Sequence, residues 1–277
     1  MEFFDRGGEV EIRGASDFDL VRIFECGQCF RWKTNERGFY TGVAFGRATR
    51  LRSEGGSVLI SCTNEDFDAV WRDYFDLDHD YAEIRRSLCT DSFMKAATQF
   101  GAGIRILKQD KWEALCSFII SQCNNIPRIK KIVAALCLHF GDRLEFEGEQ
   151  LYAFPPAERL AALSETDLAP LRCGYRAAYI ISAARSVAAG DIDLEALAHG
   201  TPENARAALK TLRGVGEKVA DCTILFGLHM LDAFPLDVWM KRAVALHYGT
   251  GFDPSIFSPY AGVAQQYIYY YSRSGGQ

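Results

Sequence analysis

The chain reads as an α+β protein, with an antiparallel sheet first and a helical region after it. Three observations predict this. From about Val10 to Cys62, short alternating or aromatic runs (VEIRG, CFRWKT, GFYTGVAFG, RATRLRSEG and SVLISC) are broken by glycine, asparagine and Glu-Gly-Gly turns. From Asn64 onward the apolar period becomes helical. Glycine or proline punctuates most gaps, and no long linker, low-complexity run or repeat of solenoid period interrupts the chain. The expected division is an antiparallel sheet domain with flanking helices over 1–95 and a helical region over 96–277.

The elements follow in order. Between the first strands, DFDLVRIFE has helical spacing. The segment NEDFDAVWRDYF opens with Asn64 as a cap and acidic residues in its first turn, where the positive end of the helix dipole favours them. Further helices are expected near 80–88, 91–101, 111–122, 126–140, 157–163, 174–189, 203–211, 216–228, 237–247 and 260–272.

Composition narrows the class. About half of the 277 residues are apolar and 24% are charged, a globular balance that excludes wholesale disorder. The opening MEFFDRGGEVEIRG lacks a basic start followed by an apolar run, so no secretory signal is expected. No apolar stretch approaches the roughly 18 residues that would span a bilayer. Nine cysteines, several inside apolar helical runs such as ALCSFII, fit reduced core thiols. The single CxxC, Cys26 to Cys29, has no second pair at metal-site spacing, and no cysteine quartet suggests an iron–sulfur cluster.

Net charge is −5, which does not favour a nucleic acid partner. Residues 1–100 carry 13 Lys and Arg against 18 Asp and Glu, whereas residues 101–277 carry 18 of each. The acidic excess therefore sits wholly in the first part. A DNA-binding face in the second part has to be local and built partly from backbone N–H groups.

The segment 203–228, ENARAALKTLRGVGEKVADCTILFGL, supplies such a face. One helix ends near Leu212, Gly214-Val215-Gly216 turns sharply, and a second helix begins. The two glycines suggest backbone angles closed to other residues, with Val215 plugging the angle between the helices. Free N–H groups at the second helix, through Val219, suit a phosphate. Turn carbonyls at Lys210, Leu212 and Val215 are candidates for a monovalent cation, potassium or sodium, that adds charge toward the same phosphate. Leu212, Gly214, Val215, Gly216, Lys218 and Ala220 match the helix-hairpin-helix pattern for sequence-independent binding of the DNA backbone. A plain αα-hairpin with a glycine cap is the competing reading.

Nineteen residues beyond Lys218, FPLDVWMKRAV places Asp237 after Pro235 at the start of another helix. Alone, Asp237 reads as a helix cap and Lys218 as a solvent lysine. A hairpin, a lysine and a later aspartate at this spacing resemble the bifunctional members of the endonuclease III superfamily. Four further stretches resemble the 8-oxoguanine DNA glycosylases, in that family's order: GQCFRW, SFIISQCNNIPRI, GYRAAYI and AGVAQQYIYYYS. The match covers most of the chain.

The resemblance implies a DNA glycosylase with lyase activity, with Lys218 as nucleophile and Asp237 as the anion that stabilises charge on the sugar. It implies that the Gly27 carbonyl accepts N7–H of the lesion, where guanine has an acceptor instead. Gln265 reads the Watson–Crick edge, Tyr269 stacks on one face and Cys222 closes the other. Asn124 fills the gap in the duplex, Arg128 and Arg176 contact the cytosine left behind, and Tyr175 wedges beside it. Two departures stand out: Cys123 replaces a usual asparagine, and Trp239 and Lys241 replace the family's residues after the aspartate. Gln265 and Gln266 are adjacent, so helical register decides which is the reader.

The implied partner is double-stranded DNA containing 8-oxoguanine, bound by a monomer with neither redox cofactor nor catalytic metal. The compact chain resembles prokaryotic members, for which a cytoplasmic, nucleoid-associated location is expected. Two alternatives remain open. One is another base-excision glycosylase of the superfamily, for alkylated or mismatched bases. The other is a non-catalytic helix-hairpin-helix module.

Overall fold

The computed structural model describes residues 1–274; the last three residues of the expected helical region lie outside the described residues. Strands β1 (Glu2–Asp5), β2 (Val10–Arg13), β3 (Lys33–Thr34), β4 (Tyr40–Ala44), β5 (Arg47–Glu54) and β6 (Ser57–Ile60) form one antiparallel sheet in the order β1-β2-β6-β5-β4-β3. Helix α1 (Leu20–Glu25) packs against it, capped by the Asp19 carboxylate, which accepts the Arg22 N–H at 3.0 Å. Alternation does the sorting: Val10 and Ile12 on β2, Leu51 on β5, and Val58 and Ile60 on β6 face one core. Trp32 fills its centre, stacked on Phe24 at 4.3 Å between centroids and donating from Nε1 to the Tyr74 hydroxyl. A Cβ at Gly42 would collide with that indole.

The helical run after the sheet comprises α2 (Asn64–Asp66), a π turn over Phe67–Trp71, and α3 (Arg72–Tyr74). Its cap is Thr63 rather than Asn64: the threonine hydroxyl accepts the Asp66 N–H at 3.1 Å. Helices α4 (Tyr81–Ser87), α5 (Ser92–Phe100), α6 (Lys111–Ser121) and α7 (Ile126–Phe140) lead to a small hairpin, β7 (Arg143–Phe146) and β8 (Glu149–Tyr152). Then come α8 (Ala157–Ala161), α9 (Arg176–Ala188), α10 (Leu194–Ala198), α11 (Pro202–Leu209), α12 (Glu217–Phe226), α13 (Val238–Tyr248) and α14 (Ala261–Arg273). These helices share a second core, in which α6 packs on α12 and α5 on α14. No described helix is long and apolar enough to cross a membrane. All nine cysteines are free, and most are buried.

Expectation and structure differ in a few elements. Strand β1 and the β7–β8 hairpin were not anticipated. The run CFRWKT is strand only over Lys33–Thr34, because Cys29, Phe30 and Trp32 turn into the cores instead of pairing.

Two buried polar links join the sheet region to the helices. Arg31 donates to the Glu113 carboxylate of α6 at 3.1 Å and to the Tyr152 carbonyl of β8. Burial pushes the Glu113 carboxyl up to about 7, even with that guanidinium beside it. Asp76, fully buried beyond α3, accepts the Tyr81 hydroxyl at 2.8 Å and pairs with His79 at 2.7 Å and His229 at 3.3 Å.

Candidate active site

The hairpin is built as the glycines suggest, with one difference. Helix α11 ends at Leu209, Val215 N–H returns to the Leu212 carbonyl at 3.1 Å, and the Val215 side chain is buried in the angle. Gly214 has φ +81°, and a Cβ there would run into the Tyr179 ring of α9. Gly216 needs no such freedom: φ is −96°, and a Cβ would meet nothing within 4 Å. Gly216 is the N-cap of α12 and caps with no side chain, so the N–H groups of Glu217, Lys218 and Val219 point out of the first turn without intrahelical partners. Val219, the third residue of the helix, is itself buried.

One turn into α12, the chain enters a cavity of about 50 Å³. Gly27, Lys218, Cys222, Asp237, Gln265 and Tyr269 all line it, joined by Cys26, Phe118, Phe226, Pro235 and Gln266. The six expected pocket and catalytic residues, drawn from α12, α14 and two connecting segments, therefore meet in one place.

The lysine is held from α6. Its Nζ donates to Ser121 Oγ at 3.2 Å and lies 5.2 Å from the Phe118 ring centroid. Phe118 and Ser121 stand three residues apart, so one face of α6 supplies both. Four residues after Lys218, Cys222 is buried beside it; burial pushes that thiol up, against the pull of the Lys218 ammonium. A packed, protonated thiol is the result. Asp237 caps α13, accepting the Met240 N–H at 2.8 Å, and also faces the cavity.

Gly27 sits at φ +86°, just after α1. Its position is set by a neighbour that the sequence reading passed over. Buried Gln28 donates to the carbonyls of Ile23 at 3.0 Å and Arg105 at 2.8 Å, and accepts the Leu107 N–H at 2.9 Å. A Cβ on Gly27 would stand 3.6 Å from the Tyr269 ring and 3.5 Å from Ile126, so the tyrosine lies directly over this glycine. The Tyr269 hydroxyl accepts from Arg273 at 2.7 Å, one turn along α14. Gln265 and Gln266 are both buried, and Gln266 Nε2 donates to Gln265 Oε1 at 3.0 Å.

The expected duplex contacts gather around the α6–α7 loop and the start of α9. Asn124 donates to the Ile120 carbonyl at 3.2 Å, and exposed Cys123 precedes it at φ +47°. Asn125 caps α7. Exposed Arg128 donates to the Arg172 carbonyl at 3.3 Å. Tyr175 is 53% exposed and meets the Tyr179 ring edge-on. Arg176 differs from a free surface charge: it is buried, and its guanidinium donates to the carbonyls of Gln122, Cys123 and Cys173. It ties the loop that carries Asn124 to α9.

A family model for the 8-oxoguanine DNA glycosylase N-terminal domain matches residues 12–115, and one for the HhH-GPD superfamily of base excision DNA repair proteins matches 116–255. The N-glycosylase/DNA lyase of Saccharomyces cerevisiae is 32% identical over 259 residues, covering 84% of this chain and 69% of that protein. The chain spans about two thirds of the length of the eukaryotic relatives it matches. The structure of MBOgg1 in complex with a low affinity DNA ligand superposes with TM-score 0.95 at 44% identity over the whole of both chains. The Clostridium acetobutylicum 8-oxoguanine glycosylase/lyase, in complex with double-stranded DNA containing cytosine opposite 8-oxoguanine, superposes with TM-score 0.94 at 36% identity, covering 100% of this chain and 99% of that one.

Proposed function

The chain belongs to the 8-oxoguanine DNA glycosylase family, within the HhH-GPD superfamily of base-excision repair proteins, and we propose that it excises 8-oxoguanine opposite cytosine and then nicks the strand through Lys218. The observation that carries this reading is the shared cavity of Gly27, Lys218, Cys222, Asp237, Gln265 and Tyr269.

The lesion has to leave the base stack before any side chain reaches its sugar, so binding includes base flipping and bending of the duplex. The hairpin grips a phosphate through the α12 N–H groups. The turn carbonyls of Lys210, Leu212 and Val215 would hold a potassium or sodium ion there, adding positive charge beside the phosphate. In support of that fit, the Leu212 carbonyl accepts only the Val215 N–H in the turn and keeps a second lone pair. Tyr175 wedges beside the gap, Asn124 fills it, and Arg128 reads the orphaned cytosine. Arg176 reaches that cytosine only by releasing a loop carbonyl; otherwise it fixes the loop bearing Asn124.

A space of about 50 Å³ has room for only one or two waters, so a purine enters as the lining side chains part. Tyr269, half-buried, is the side chain placed to stack on the base, with Cys222 closing the other face. The Gly27 carbonyl accepts N7–H. Once its ammonium proton has passed to solvent, the Lys218 amine attacks C1′ as the glycosidic bond breaks, and the base departs with the bond's electron pair. The Asp237 anion stabilises positive charge on the sugar. Loss of a proton from the amine and opening of the sugar ring give the Schiff base. Its iminium acidifies the 2′ hydrogen, and abstraction of that proton expels the 3′ phosphate by β-elimination. Water then hydrolyses the imine and frees Lys218. The protein acts as a monomer and, if the chain is prokaryotic, in a cytoplasmic, nucleoid-associated setting.

The test is borohydride trapping on a duplex with one 8-oxoguanine opposite cytosine. Wild type is expected to give a covalent adduct and Lys218→Gln none. Base release without an adduct removes Lys218 from the covalent role. No release and no adduct overturns the substrate.

A further inference from the structure

Consecutive residues on a helix stand about 100° apart, so they rarely share one surface. Gln265 and Gln266 do: both line the active-site cavity, and both are 4% exposed. Buried amides need partners for a carbonyl oxygen and two N–H donors each. Gln266 Nε2 donates to Gln265 Oε1 at 3.0 Å, yet Gln266 Oε1 has no hydrogen-bond partner among the described residues. An orphaned, buried acceptor beside a ligand cavity marks the place of a donor that the ligand brings.

Resting on the 8-oxoguanine reading above, we infer that Gln266 is a second specificity-determining residue, whose free Oε1 accepts the exocyclic 2-amino group of the flipped base while its amide N–H fixes the orientation of Gln265. The edge to be read carries one acceptor, O6, and two donors, N1–H and the 2-amino group. With its oxygen engaged by Gln266, Gln265 presents Nε2 as the donor for O6 and a second Oε1 lone pair for N1–H. Gln266 Oε1 supplies the remaining acceptor. Donors and acceptors then match one to one, which a single amide does not achieve. Without its neighbour, the Gln265 amide is free to rotate and present the wrong end.

A lesion that lacks only the 2-amino group isolates this contact. Single-turnover excision is measured from duplexes carrying 8-oxoguanine or 8-oxohypoxanthine opposite cytosine, with wild type and Gln266→Met. Wild type is expected to prefer 8-oxoguanine by about tenfold or more, since a site built to bond a polar group rejects the analogue without it. In Gln266→Met that ratio falls toward one, chiefly because 8-oxoguanine slows. A merely structural role slows both bases together and leaves the ratio intact, which overturns the inference. Equal wild-type rates on the two bases overturn it as well, whatever the variant does. Wild type that releases no 8-oxoguanine overturns the substrate reading itself, an outcome distinct from the other two.

Discussion

The Asp237 carboxylate accepts the Met240 N–H at 2.8 Å and lines the same cavity as Lys218, so on the proposed reading one side chain carries a capping role and a chemical one. The two roles separate by substitution. Asparagine caps about as well as aspartate but brings no negative charge. Asp237→Asn is therefore expected to unfold within about 0.5 kcal/mol of wild type and to excise at least ~100-fold more slowly. Asp237→Ala adds a loss of about 1 kcal/mol through the missing cap. Thermal unfolding beside single-turnover excision checks both, and a slow Asp237→Asn that is also markedly less stable would place the defect in folding. Lys218 and Asp237 were legible because a turn and a helix start fix their neighbours within a short stretch of chain. Ser121, Phe118 and Gln28 were not. Each acts on a residue far along the chain, Ser121 on Lys218 and Gln28 on Arg105 and Leu107, and only helix packing brings such pairs together.

The hairpin shows at the scale of an element how two identical residues answer to different constraints. Gly214 is required by the fold, through its φ of +81° and the Tyr179 ring that fills the space of its Cβ. Gly216 is required by neither, since its backbone angles suit any residue and its Cβ position is open. An open Cβ position at a helix N-terminus is where a phosphate would approach. Gly214→Ala is expected to cost stability, on the order of 2–3 kcal/mol for the αL strain and overpacking together. Gly216→Ala, at the N-cap of α12, should cost no more than about 1 kcal/mol yet bind duplex DNA several-fold more weakly. Melting curves and fluorescence-anisotropy titrations distinguish them; equal DNA affinity for wild type and Gly216→Ala would remove the phosphate from that position. The sequence pattern marked both glycines alike because it records residue type and not φ. The β7–β8 hairpin was missed for a different reason: LEFEGEQLY alternates around Glu147-Gly148, but it lies inside a long helical region, and the surrounding period masks it. Its place is set by distant partners, Arg50 pairing with Glu147 and Glu149.

Across the whole molecule, two cores are joined by buried charge as well as by apolar surface, and Asp76 is the centre of one such joint. Its carboxylate accepts from Tyr81 and pairs with His79 and His229, Lys108 stands 3.7 Å away, and its backbone carbonyl receives Arg105. Phe75 and Leu77 on either side belong to the sheet core, whereas Tyr81 and the residues around His229 belong to the helical one. Burial opposes ionisation of Asp76, yet His229 and His79 hold its carboxyl well below the usual carboxylate range. The sign follows from linkage. The unfolded chain binds this proton at a higher pH than the folded protein does, near pH 4 for a free aspartate, so folding gains stability above that value. That gain disappears as pH falls toward the folded value. Asp76→Asn, which cannot ionise, should therefore be less stable than wild type at pH 7, and the gap should narrow steadily below about pH 4. Urea midpoints for the two proteins from pH 7 to pH 3 measure it. A gap that stays constant across that range would assign the aspartate's contribution to shape and hydrogen bonding, leaving its charge without a share in holding the two cores together.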